Sequence, residues 1–189
     1  MSILNNLASM LSSIDIKKLW DEAEVYGKIR LHKKNMPPRD LPDFAGKSLP
    51  YVDFDYEFLE VPKKLERIPG QRGPAPFAAS KAKGVYGWFV TLGPYTLYIG
   101  KTDAPSASIN SRQGNHLRSF LDDSVISESS GRKFREFLTE NGLQSLEIVI
   151  KYINTSQFNI DGMAEYIEGA SIKHFRPKVN REIRGRGTR

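Results

Sequence analysis

Residues 84–101 read GVYGWFVTLGPYTLYIGK. Two runs rich in aromatic and β-branched residues, GVYGWFVTL and PYTLYIG, are split by Gly93-Pro94. Such runs favour a pleated, half-buried surface, and a Gly-Pro pair between them turns the chain, so the stretch predicts a β-hairpin. Downstream, residues 107–121 predict a helix anchored by Ile109, Leu117, Phe120 and Leu121. Residues 130–140 predict a second, with Phe134, Phe137 and Leu138 on one stripe, Arg132 paired with Glu136, and Asn141-Gly142 as its end. The run SLEIVIKYI (145–153) predicts a strand, and a helix with Asp161 as N-cap follows to Phe175. The order β-β-α-α-β-α gives an α/β (α+β) class: a small antiparallel sheet flanked by helices.

Upstream of residue 81 the pattern changes. Eight of the eleven prolines fall between Pro37 and Pro76, and residues 69–76 read PGQRGPAP. Proline at this density excludes regular helix and marks a connector, assigned to residues 62–80. The chain thus divides into an N-terminal extension (1–80) of helix and strand, a second domain (81–180) and a basic tail (181–189). Ile3, Leu4, Leu7, Met10, Leu11 and Ile14 recur at helical spacing. With no basic residues ahead of them they predict an amphipathic packing helix rather than a signal peptide. Residues 15–34 predict a second helix capped by Asp15, with Ile16, Leu19, Trp20, Ala23, Tyr26 and Ile29 near one face. YVDFDYEFLEV (51–61) alternates strictly, a strand pattern with Val52, Phe54, Tyr56 and Phe58 on the buried face. Its acids Asp53, Asp55 and Glu57 read as a solvated face, or else as ligands for a metal; alternate side chains along one strand diverge rather than converge.

Composition narrows the chemistry. The 189 residues contain no cysteine, which excludes disulfides, thiolate zinc sites and a cysteine nucleophile. Three separated histidines, His32, His116 and His174, do not form a metal cluster. No apolar run is long enough to span a membrane, and cytoplasmic location is expected. The net charge of +6 is uneven. Residues 1–80 carry 12 basic against 11 acidic groups, and residues 81–189 carry 16 against 11. The last seventeen residues hold seven basic groups and one acid, Glu182. That strip suggests a polyanionic partner.

The hairpin also carries a motif. Gly84-Val85-Tyr86 and Tyr98-Ile99-Gly100 resemble the paired triplets of the GIY-YIG nucleases, with Val in place of the first Ile. Lys101 follows the second triplet, and Arg112 and His116 stand four apart on the next predicted helix, as in the family's Arg-x-x-x-His arrangement. The closing segment, Glu168 to Asn180, reads EGASIKHFRPKVN and is similar to the family's final motif, with Glu and Asn twelve apart. The resemblance covers residues 84–180, about half the chain. Between Tyr98 and Arg112 lies an added TDAPSASINS, which makes Arg118 a competitor for the catalytic arginine. Arg112 is preferred because His116 lies one helical turn beyond it.

The resemblance implies a nuclease fold, with 81–180 as the catalytic domain and 1–80 serving DNA binding and/or dimerisation, and a set of roles. Glu168 is the expected single protein ligand for Mg²⁺ or Mn²⁺, a hard ion whose shell water and phosphate would complete. Glu165, fifteen residues before Asn180, does not fit the spacing. Tyr86 is expected to activate water with His116 relaying its proton, and Tyr98 to orient the phosphate. Lys101 and Arg112 are expected to supply positive charge, Arg112 at the scissile phosphate, where a planar five-donor guanidinium is suited. Asn180 is expected to hydrogen-bond across the site. Arg176, Lys178, Arg181, Arg184 and Arg186 are candidate DNA-tracking residues, and Lys33 and Lys34, with Lys28 and Arg30, form a second candidate patch.

The implied activity is metal-dependent hydrolysis of double-stranded DNA. A cysteine-free chain has no zinc-binding partner domain, and nine residues after Asn180 leave little for a large C-terminal recognition domain. The architecture therefore looks like the family's type II restriction endonucleases, acting as a homodimer on DNA. A low-specificity or structure-specific nicking nuclease, and a non-catalytic DNA-binding module, are the alternatives.

Overall fold

A computed structural model of the chain describes residues 14–35, 37, 39–42, 48–51, 54–62, 82–93, 96–104, 107–121, 129–158 and 160–180. Its elements in chain order are α1 (Ile16–Asp21), β1 (Glu24–Lys33), β2 (Arg39–Pro42), β3 (Ser48–Tyr51), β4 (Phe54–Glu60), β5 (Gly84–Val90), β6 (Thr96–Thr102), α2 (Ile109–Leu121), α3 (Ser129–Glu140), β7 (Ser145–Asn154), a 3₁₀ turn (Thr155–Phe158) and α4 (Met163–Phe175). Five strands form one antiparallel sheet in the order β4-β1-β7-β5-β6, and β2 pairs with β3 separately. The class is the mixed α+β one that the strand and helix order predicts. The expected N-terminal packing helix falls on residues 1–13, outside the described residues.

The two sheet faces follow from the period-2 alternation of β5. Tyr86, Trp88 and Val90 join Ile109 and Phe120 of α2 and Phe134, Phe137 and Leu138 of α3 in one buried cluster. Val85, with Phe89 packed beside it, joins Trp20 of α1 and Met163, Ala164 and Ile167 of α4 in the other. Trp88 is the pivot of the first cluster, with its ring 4.7 Å from Phe120 and 6.3 Å from Phe134. Removing a fully buried ring of this size costs about 3–5 kcal/mol.

The predicted helix over 15–34 is a correction. Asp15 does cap a helix, its side chain accepting from the Lys18 N–H at 3.1 Å, but that helix ends at Asp21. Glu24–Lys33 is a ten-residue strand hydrogen-bonded to β4 on one side and β7 on the other. Ile29 and Leu31 are buried while Lys28, Arg30 and His32 between and beside them are not, an alternation of two that competes with the helical spacing. What decides for strand is tertiary: β1 fills the place between β4 and β7, so the sheet runs without a break across residue 80.

Of the strand expected over 51–61, residues 54–60 form β4 at the outer edge of the sheet, whereas Tyr51 ends β3 and pairs with Arg39. Phe54 and Phe58 pack on the first cluster, whereas Tyr56 stays 47% exposed because β4 has a neighbour on one side only. Asp55 and Glu57 face outward and pair with Lys34 and Arg30. Val52, Asp53 and the side chains of Leu121 and Arg132 lie outside the description. At the end of α3, Gly142 takes a left-handed conformation (φ +60°) and closes the helix as Asn141-Gly142 predicts. The N-cap of α4 is Gly162, not Asp161.

Candidate active site

The site forms at the β6 end of the sheet, where α2 on one face and α4 on the other both approach the hairpin. Tyr86 and Gly100 are cross-strand partners. A Cβ on Gly100 would lie 2.7 Å from the Tyr86 hydroxyl and 2.9 Å from two ring carbons, so the phenol occupies the space that glycine leaves. Gly84 is required as well: a Cβ there would lie 2.0 Å from the Ile153 carbonyl oxygen of β7. Both triplet glycines are thus fixed by close approach.

Tyr86 is 2% exposed and its hydroxyl lies 3.0 Å from His116 Nε2. The Tyr98 ring stacks at 6.2 Å from Tyr86 and 4.7 Å from His116, half-buried at the mouth of the site. Burial, first, and then the neighbouring Tyr98 and Glu168 hold the Tyr86 phenol well above its ordinary pKa, with Arg112 pulling the other way. Burial also lowers His116, to about 4, assisted by the charge of Arg112. At neutral pH the pair is therefore a phenol beside a neutral imidazole.

Glu168 reaches the site from α4. Burial raises its pKa, the charge of Lys101 lowers it, the neighbouring Asp103 and Glu165 raise it, and a hydrogen bond from the Lys101 backbone N–H lowers it. The Lys101 ammonium is bonded to Asp103 and lies 4.0 Å from Glu165. Its pKa is raised, chiefly by the Asp103 bond. A half-buried carboxylate with two further acids near it, only partly offset by one lysine, favours a cation. Among the described residues no three acidic or histidine side chains gather as a ligand cluster. Glu168 alone offers carboxylate oxygens of the type a hard divalent ion takes, with water and substrate oxygens left to complete its shell.

Asn180 does not reach for a metal. It bonds to the Ile99 backbone on the outer edge of β6, and Lys178 and Val179 N–H groups donate to the Thr96 and Leu97 carbonyls beside it. The structure thus brings together Tyr86, Tyr98, Lys101, Arg112, His116 and Glu168, with Asn180 bracing the strand beneath them. The guanidinium acting on both Tyr86 and His116 is that of Arg112.

The proposed DNA-contact residues are dispersed. Arg176 is the exposed, left-handed cap of α4, two turns beyond Glu168, and Lys178 is exposed beside Lys133 of α3. Lys33 ends β1, and Lys34 lies 3.1 Å from Asp55, three strands from β6. Lys28 and Arg30 are likewise paired, with Glu60 and with Glu57 and Glu147. Arg181, Arg184 and Arg186 lie outside the described residues. Two features of the sequence gain their meaning only from the fold. Asp103 follows Lys101 by two positions along an extended chain, a same-side spacing. Asn110 and Gln113 share the inward stripe of α2 with His116, visible as polar residues at three-residue steps.

No protein-family model, no curated protein and no solved structure matches this chain. No helix among the described residues is long and apolar enough to cross a membrane.

Proposed function

We propose that the chain is a divalent-metal-dependent endonuclease that hydrolyses phosphodiester bonds in double-stranded DNA at defined sites, as the resemblance to GIY-YIG restriction enzymes implies. One observation carries the reading: Tyr86, Tyr98, Lys101, Arg112, His116 and Glu168 come from four separate elements and meet at one end of the sheet. A structural role alone gives no reason for a neutral phenol–imidazole pair beside a half-buried carboxylate and a guanidinium.

Each residue then has a task. As water attacks phosphorus, its proton passes to the Tyr86 oxygen while the Tyr86 hydroxyl proton passes to His116 Nε2. His116, with its pKa near 4, is deprotonated at neutral pH and has a lone pair for that transfer. No free phenolate forms, which suits a phenol that burial keeps protonated. The Arg112 guanidinium, exposed to an incoming strand, binds the scissile phosphate and stabilises its added charge. Tyr98 orients a phosphate oxygen, and Lys101 balances the carboxylates around Glu168. Mg²⁺ or Mn²⁺ held by Glu168 would polarise the phosphate and stabilise the leaving oxygen. One such site cuts one strand, so a double-strand break calls for two copies of the chain on the DNA.

The test is Mg²⁺-dependent cleavage of plasmid and phage DNA by the native chain and by Glu168→Ala, with both proteins shown to be folded by thermal melting. Discrete fragments that vanish in the variant are expected. Uniform degradation or simple nicking that vanishes in the variant would keep the chemistry and overturn site specificity. Equal cleavage by both, or none with any divalent ion, would overturn the reading.

A further inference from the structure

The inner face of α2 carries three polar side chains, and each meets the polar tip of an aromatic residue in the sheet. The Tyr26 hydroxyl donates to Asn110 Oδ1 at 2.8 Å, the Trp88 indole N–H donates to Gln113 Oε1 at 2.9 Å, and the Tyr86 hydroxyl is 3.0 Å from His116 Nε2. The second and third of these rungs join the same two elements. Trp88 is two residues after Tyr86, on the same face of β5, and Gln113 is one turn before His116 on α2.

Gln113 is an expensive choice for that position. Its side chain is fully buried, and its amide nitrogen is enclosed with no hydrogen-bond partner among the described residues. Desolvating an amide donor that then goes unmet is a cost that leucine or methionine, of similar size, would avoid. The partner of Gln113, Trp88, is packed against the rings of Phe120 and Phe134. Apolar packing is non-directional, so it would bury α2 without fixing its rotation or its height on the strand. A hydrogen bond is directional, and a proton relay needs donor and acceptor within about 2.6–3.2 Å.

We propose that Gln113 is a positioning residue, whose bond to the Trp88 indole sets the seat of α2 on β5 and so holds His116 Nε2 on the Tyr86 hydroxyl. The catalytic part of this inference rests on the nuclease reading above; its geometric part does not. Gln113 is bonded to Trp88 and has no part in the proton transfers of this scheme. It acts through the helix.

The test is Gln113→Met, which keeps the volume and removes the acceptor. It is read in three ways: thermal melting, the NMR titration of the His116 imidazole, and kcat and KM for DNA cleavage. The expected result is a fall of no more than a few degrees in melting temperature, because the buried Trp88 N–H loses its acceptor while the unmet Gln113 donor is removed. The His116 midpoint should move up towards that of a free histidine as the Tyr86 contact opens and solvent enters. kcat should fall at least tenfold with KM unchanged. A His116 titration like that of the native chain, or cleavage within twofold of native, would overturn the proposal. Should Gln113→Met fail to fold, Gln113→Asn, which keeps the amide but is too short for Trp88, carries the same readouts. Loss of the fold in both would make the bond a structural requirement and overturn the positioning role. If the native chain cuts no DNA, the nuclease reading falls, and the His116 titration alone still decides what Gln113 does.

Discussion

The side-chain amide of Asn180 pairs with both backbone polar groups of Ile99: Oδ1 accepts from the Ile99 N–H at 2.8 Å, and Nδ2 donates to the Ile99 carbonyl at 2.5 Å. Together with the bonds from Lys178 to Thr96 and from Val179 to Leu97, and the Lys101 N–H given to Glu168, this occupies the outer edge of β6. An edge strand would otherwise offer those groups to solvent or to another chain. The strand that carries Tyr98 and Lys101 is held from its open side by the residues that follow α4.

Asn180→Ala should therefore lower stability by about 1–3 kcal/mol, the usual cost of leaving a partly buried backbone pair unmet. Urea unfolding would show this as a lower midpoint at unchanged slope. Asn180→Asp should be no better, because a carboxylate loses the donor and faces the Ile99 carbonyl. A metal-binding Asn180 would behave in the opposite way, since the Asp variant would then hold Mg²⁺ at least as well as the native chain. Calorimetric titration with Mg²⁺ separates the two.

Gly100→Ala is expected to damage the site more than the fold. The new Cβ would meet the Tyr86 hydroxyl at 2.7 Å and its ring at 2.9 Å, so the phenol must tilt away. Tyr86 would lose its place on His116, and cleavage should fall about a hundredfold or more, the scale set by loss of a positioned proton-transfer group. The melting temperature should drop by only a few degrees, because Gly100 itself is not in the left-handed region and the ring is a side chain that can move. A variant with native cleavage would remove Tyr86 from the mechanism.

The hairpin, both helices after it, β7 and α4 were legible because in each the local pattern and the tertiary demand agree: Trp88 and Val90, Phe134 and Phe137, Leu146 and Ile148 are buried at the period of their own element. The β1 strand was not. Tyr26 and Ile29 fall three apart, as helix positions would, and a register shift between Val25 and Gly27 disturbs the alternation that would have betrayed the strand. Its place between β4 and β7 is a long-range pairing that no window of sequence contains. Motif spacing picks out the residues proposed for the site, whereas Gln113 was not legible, because a glutamine on a helix has no meaning until Trp88 is known to face it.

His116 makes stability depend on pH. Its pKa is about 4 in the native state against an ordinary 6.5, so the unfolded chain binds the proton more readily. Above pH 6.5 both states are neutral and the native state has its full margin. As pH falls from 6.5 towards 4, protonation favours the unfolded chain, and stability declines by up to about 3 kcal/mol from this group. His116→Gln should flatten that part of the profile while abolishing cleavage, which urea midpoints measured from pH 7.5 to pH 4.5 would show. A profile with the native slope in the variant would mean that other groups set the acid limit.

Arg112 and Arg118 can be told apart by an effect that does not need DNA. The charge of Arg112 opposes protonation of His116 and eases ionisation of Tyr86, and both arginine side chains are exposed on α2. Arg112→Ala should therefore raise the His116 titration midpoint, while the thermal stability changes little, as expected for an exposed helix position. Its cleavage rate should fall about 10²–10³-fold, the range for removing one group that stabilises developing charge. Arg112→Lys should recover the titration but only part of the rate, since an ammonium keeps the charge and lacks the two-point geometry of a guanidinium. Arg118→Ala should leave both the titration and cleavage within about twofold of native. If Arg118→Ala were the inactive variant and Arg112→Ala the active one, the catalytic arginine would lie a further turn and a half along α2, and His116 would have to act without it.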